Sequence, residues 1–140
     1  MVGALVVTHG NLAQELVQAA KKIVGEASSL LAVSIDWDDD VAQAQDAIGG
    51  ALKQVDQGSG VLILTDMFGG TPTNISLTFL EPGRVEIITG INLPMLIKFL
   101  NLREQLGLAG VAEQLKAKGQ RSIQVASELL GDRLARPRKD

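Results

Sequence analysis

The chain has 140 residues and a formal net charge of −3; it is 46% hydrophobic and 21% charged, with one histidine and no cysteine. That length fits one domain with a real core, and the charge argues against a general nucleic-acid footprint. The missing cysteine excludes disulfides and thiolate chemistry, and no apolar run reaches the roughly 18 residues of a membrane span.

Aromatics are limited to Trp37, Phe68, Phe79 and Phe99, so the core must be built from Val, Ile, Leu and Ala. The chain opens without a basic n-region or cleavage site, which leads us to expect a cytoplasmic protein. Residues 2–7 form an apolar run short enough for a buried strand, and it delivers Thr8-His9-Gly10-Asn11. A helix should follow. Asn11 reads as its cap, with Gln14 three residues on. Leu12, Leu16, Ala19, Ala20 and Ile23 read as its inner face, and Lys21, Lys22 and Gly25 as its end.

Residues 30–35 read as the second strand, leading into Asp36-Trp37-Asp38-Asp39-Asp40. This acidic run suits a helix start better than a metal site. Val41, Ala44, Ile48, Leu52 and Val55 mark the next helical face. Inside it, Gly49 and Gly50 each cost about 1 kcal/mol relative to alanine, and the sequence gives no reason for them. Residues 61–65 form a continuous apolar strand of the kind buried on both faces. It delivers residues 66–74, Asp-Met-Phe-Gly-Gly-Thr-Pro-Thr-Asn, where Thr71 reads as N-cap and Pro72 as the first helical position.

A short helix ends at Pro82-Gly83. Residues 85–89 make a fourth strand, and Gly90-Ile91-Asn92-Leu93-Pro94 turns into a helix through Met95 and Phe99. One more helix is expected over residues 108–118, closed by Gly119. Residues 122–126 alternate polar and apolar, as a half-exposed edge strand does. We divide the chain into one domain, residues 1–130, and a charged tail, residues 131–140, that should fray.

Strand–helix units in series imply an open, mostly parallel α/β sheet with helices on both faces. In such sheets ligands sit beyond the carboxyl ends of the strands, where strand order reverses. The unusual residues lie at those ends: His9, Trp37, Asp66 and Asn92. A lone histidine after a strand is more often structural than catalytic, so the weight falls on the convergence of these loops. Asp66 is a candidate to fix the His9 tautomer, as a carboxylate does in a triad. No cysteine exists and no serine lies in a nucleophile elbow, which leaves His9 itself as the nucleophile. Its natural electrophile is a phosphoryl group. Gly10, Gly69, Gly70 and the hydroxyls of Thr8 and Thr71 read as its binding loop beside two helix starts.

Three blocks, Val7-Thr8-His9-Gly10, residues 66–74, and Gly90-Ile91-Asn92-Leu93-Pro94-Met95, resemble the IIA component of the mannose family of the phosphoenolpyruvate:sugar phosphotransferase system (PTS). The resemblance spans residues 2–130. It implies that His9 takes a phosphoryl group from the phosphocarrier protein HPr and passes it to a IIB component, with Asp66 orienting the histidine and Thr71 touching the phosphoryl group. It also implies a homodimer whose fifth, antiparallel strand is exchanged between partners, placed at residues 122–126. Trp37, Met67, Phe68, Ile91, Asn92 and Met95 are expected to line a docking rim. No cofactor, metal or nucleic acid is expected, and at most a peripheral membrane association through a permease complex. Because the sequence stops at Asp140, the IIB component is expected to be a separate protein. The alternatives are a regulatory phosphoprotein without a sugar permease, a phosphoryl donor to a dihydroxyacetone kinase, and a small-ligand or metal-binding α/β protein with a structural histidine.

Overall fold

The computed structural model describes residues 1–131. Four parallel strands, β1 (Gly3–His9), β2 (Leu30–Ile35), β3 (Val61–Thr65) and β4 (Val85–Thr89), form one sheet in the order β2-β1-β3-β4. The helices are α1 (Leu12–Val24), α2 (Val41–Val55), α3 (Thr71–Ser76), α4 (Leu93–Leu102), α5 (Leu108–Arg121) and the short α6 (Ala126–Leu129), with one turn of 3-10 helix after α3.

The chain leaves β1 toward β2, then jumps back across β1 to β3. With right-handed crossovers, that reversal sends α1 and α2 to opposite faces. The two apolar layers show it. Ala4, Val6, Leu62 and Leu64 pack with Val17, Ala20, Leu96, Phe99, Val111 and Leu115 on the face of α1, α4 and α5. Leu5, Val7 and Ile63 pack with Ala44, Ile48, Val55 and Ile75 on the face of α2 and α3. The two inner strands are covered on both faces, which is why their sequences are apolar without alternation. Gly3 is required at the start of β1: a Cβ there would lie 2.2 Å from the Val55 carbonyl oxygen at the end of α2.

Several local expectations are revised. The inner face of α1 is Ala13, Val17 and Ala20 with Leu16 at its margin, whereas Leu12 and Ile23 are exposed. Asn11 makes no side-chain cap; the buried Thr8 hydroxyl does that work, accepting from the Ala13 N–H at 2.7 Å. At α3 the N-cap is Gly70, and Thr71 is already helical. Val41 is exposed on α2. Gly119 does not stop α5, which continues to Arg121 with Gly119 buried against Met95.

Residues 122–126 form no strand within the chain. Ser122 caps α5 by donating to the Lys118 carbonyl, and the Glu128 and Leu129 N–H groups bond to the Val125 carbonyl to open α6. An alternating segment becomes a strand only when a sheet edge offers it a ladder and a surface. Here Ile123 and Val125 stay exposed instead. The tail from residue 132 onward lies outside the described residues.

Candidate active site

β1 and β3 are neighbours at the point where strand order reverses, paired Val7 to Thr65 at their carboxyl ends. One step beyond β3 is Asp66 and two steps beyond Val7 is His9, so the ladder itself delivers the two side chains together. The Asp66 Oδ2 lies 2.7 Å from His9 Nδ1 and also accepts the His9 backbone N–H at 3.0 Å. Its Oδ1 accepts the Met67 N–H at 3.0 Å. The His9 side chain is 20% exposed and that of Asp66 13%. Burial pushes the Asp66 carboxyl up, but the bonds from the His9 ring and backbone, the His9 charge and the Met67 N–H outweigh it. The carboxyl is held below its ordinary range. An ionised Asp66 only accepts, so Nδ1 carries the proton of this hydrogen bond, and in the neutral ring Nε2 keeps its lone pair in the ring plane.

The Nε2 edge faces the loop before α3. A Cβ on Gly70 would lie 2.6 Å from His9 Cε1 and 3.0 Å from Nε2, so only glycine lets the backbone pass this close. Thr73, whose role was not legible in the sequence, anchors that loop. Its buried hydroxyl lies 2.6 Å from the Thr65 hydroxyl and donates to the Met67 carbonyl. On one face of the imidazole sits Trp37, with ring centroids 4.9 Å apart and planes at 28°. Trp37 is 83% exposed and Phe68 73%; Met67 in the loop after β3 and Leu12 at the start of α1 add further exposed apolar surface. Leu12 escaped the sequence reading because it matched a core period.

The predicted residues therefore divide. His9, Asp66 and Gly70 are in contact. Gly69 and Thr71 flank Gly70 and are exposed. The other two phosphoryl-binding candidates are otherwise engaged: the Thr8 hydroxyl accepts from Ala13 and donates to the His9 carbonyl, and the Gly10 N–H donates to the Ile35 carbonyl. Asn92 caps α4, accepting the Met95 N–H at 3.2 Å and donating to the Gly119 carbonyl at 3.1 Å. Met95 is only 2% exposed and belongs to the core, and Ile91 packs against the same layer. The acidic run is a braced turn: the Asp36 N–H donates to Asp39 Oδ2, and Asp40 caps α2 by accepting the Gln43 N–H. Among the described residues no three histidine, aspartate or glutamate side chains gather as a metal site, and no helix is long and apolar enough to cross a membrane.

The family described as PTS system fructose IIA component (EIIA-man) matches residues 3–116. The fructose-specific EIIA component of Bacillus subtilis is 37% identical over 93% of this chain and 90% of its own length. The mannose-specific EIIAB component of Escherichia coli K12 is 28% identical over 74% of this chain, which spans 32% of that longer protein. Among solved structures, the mannose/sorbose-specific IIA subunit from Enterococcus faecalis is 26% identical with a TM-score of 0.78, covering 88% of this chain and 92% of its own. An EIIA component from Streptococcus agalactiae, at 20% identity, shares the fold with a TM-score of 0.83 over 91% of this chain and 99% of its own.

Proposed function

We propose that this chain, which belongs to the family of PTS fructose IIA components, is a cytoplasmic phosphoryl carrier with His9 as the residue that takes and gives up the group. One observation carries the reading: Asp66 holds Nδ1 at 2.7 Å, which leaves Nε2 as the free nucleophile beside the Gly70 backbone.

The chemistry follows from that arrangement. Nε2 attacks the phosphorus of an incoming phosphoprotein. The new N–P bond forms as the bond from phosphorus to the donor breaks, and that electron pair leaves with the donor. The Nδ1 proton stays in place, so the ring becomes cationic and Asp66 stabilises it. Backbone N–H groups around Gly69, Gly70 and Thr71 supply the anion contacts. Such groups at a helix start have no intrahelical acceptor. Return transfer to an acceptor runs the same path backward. Positioning and electrostatics suffice for this exchange. HPr is the proposed donor and a IIB component the acceptor. Both would dock on the exposed apolar rim of Leu12, Trp37, Met67 and Phe68.

We also propose a homodimer in which residues 122–126 add to the partner's β4. Two features support it. The outer edge of β4 pairs with no strand among the described residues, and a groove of about 610 Å³ runs along it between Glu86, Ile88, Lys116 and Ile123. A swapped strand would cover that edge and the exposed Ile123 and Val125 together. A monomeric mass in solution would count against the exchange.

Incubation with phosphoenolpyruvate, enzyme I and HPr tests the carrier reading. Wild type should gain an acid-labile label and His9→Ala none; equal labelling of the two would remove His9 from the chemistry. A chase with a IIB component should then discharge the label.

A further inference from the structure

We propose that Trp37 is a positioning residue for phosphoryl transfer: its indole fixes the tilt of the His9 ring and favours the cationic form that a phosphoryl group on Nε2 creates. This rests on His9 being the acceptor, and adds a second restraint to the one Asp66 provides.

The imidazole hangs from the end of β1 on two torsions. The Nδ1 to Oδ2 bond restrains one direction, but the ring can still swing about the line joining those atoms. A swing of that kind tilts the ring plane and turns the Nε2 lone pair away from its line beside the Gly70 backbone without breaking the hydrogen bond. Trp37, stacked at 4.9 Å with planes at 28°, blocks it from one side. A stack covers a face of the ring and leaves the in-plane Nε2 lone pair open, so it guides the nucleophile without obstructing the donor.

Core packing does not explain where the indole sits, since it is 83% exposed. The backbone that carries it is braced on both sides. The β1–β2 ladder pairs His9 with Ile35, two residues before Trp37. Beyond it, the Asp36 N–H bonds to Asp39 Oδ2 at 2.9 Å, the Asp39 N–H bonds to the Asp36 carbonyl at 3.1 Å, and Asp40 caps α2. The aspartates of this turn thus act as a frame that presents the tryptophan to the histidine. Electrostatics adds to the geometry. The face of an indole is the most favourable aromatic surface for a cation, and the ring on which it lies gains positive charge as the N–P bond forms.

The test must separate positioning from protein docking, because an exposed tryptophan can also contact a partner. Phosphoramidate, a small donor that loses ammonia as its phosphoryl group passes to histidine, needs no docking surface. At saturating phosphoramidate, Trp37→Ala and Trp37→Leu should label His9 about fivefold more slowly than wild type, whereas Trp37→Phe, which keeps a π face, should stay within about twofold. With phospho-HPr a loss of about fivefold should persist at saturating donor, and any additional loss at low donor concentration reports the rim contact.

Equal phosphoramidate rates for wild type and Trp37→Ala, or a loss confined to the HPr reaction at low concentration, would overturn the positioning role and leave His9 as acceptor untouched. Label that persists in His9→Ala would instead remove the acceptor itself, and this inference with it. Circular dichroism of each variant should match wild type, since the side chain lies outside the core.

Discussion

Two loops at the same edge of the sheet look alike in sequence and do different work. The loop after β3 begins with Asp66, and the loop after β4 carries Asn92. Each side chain accepts a backbone N–H, and each loop runs into a helix with proline near its start. The difference is position in the sheet. β3 lies against β1 where strand order reverses, so Asp66 meets His9. β4 lies one strand farther out, so Asn92 meets α5 and ties the Gly119 carbonyl to the start of α4. Here the loop at the switch point brings a carboxylate onto an imidazole, and one strand away the same kind of loop is packing.

The strongest way to break that contrast is to remove the carboxylate. Asp66→Ala should fold and lose transfer by roughly 10³-fold, because the ring loses both its tautomer control and its cation stabiliser. Measured single-turnover rates near wild type would place the Asp66 loop in the same structural class as the Asn92 loop. A smaller loss should come from the backbone side. Gly70→Ala places a methyl 2.6 Å from His9 Cε1, and the ring or the loop must move. A misplacement of about 1 Å costs about 10²-fold in rate, and thermal stability should stay close to wild type. An unchanged rate would mean that the loop yields freely and does not help to aim Nε2.

On the other loop the effects should fall on stability and leave transfer alone. Met95→Ala empties a fully packed position under α5 and should cost about 2–5 kcal/mol in urea unfolding. A well-folded Met95→Ala protein that binds HPr poorly would return this residue to the docking surface.

The contrast also shows what the sequence could and could not carry. The order of strands and helices was legible because long apolar runs and helical periods survive any topology, and the His9–Asp66 pair because both follow buried strands. The fate of Met95 and Asn92 was not legible. Their block lies in a strand-end loop like the others, and only the strand order β2-β1-β3-β4 separates them from the site. The capping bond of Thr8 was not legible for a different reason. A hydroxyl beside the histidine looks available, but its place at 0% exposure at the end of β1 turns it toward the first turn of α1, where it caps. The strand expected at residues 122–126 does not form: the segment leads from the end of α5 into α6, and the outer edge of β4 pairs with no strand among the described residues. Trp37 was visible as an aromatic in an acidic turn, yet nothing in a sequence gives a ring-to-ring angle.

The finest distinction between the two loops is their response to acid. Asn92→Ala removes a neutral cap and should cost about 1 kcal/mol, a loss that stays the same between pH 2 and pH 6. Asp66 behaves differently because its carboxyl is held below the ordinary range in the folded protein. The unfolded chain therefore takes up this proton more readily than the folded one. As pH falls below about 4, the usual carboxylate value, protons favour the unfolded state; stability contributed by Asp66 is full above that point and drains away through the lower folded value. Denaturant unfolding of wild type and Asp66→Asn across the acid range should show the wild-type advantage shrinking as pH falls below about 4. A difference independent of pH would mean that the His9 ring and the Met67 N–H hold the amide as well as they hold the carboxylate. The Asp66 loop would then be a cap like its neighbour, with no electrostatic stake in the imidazole.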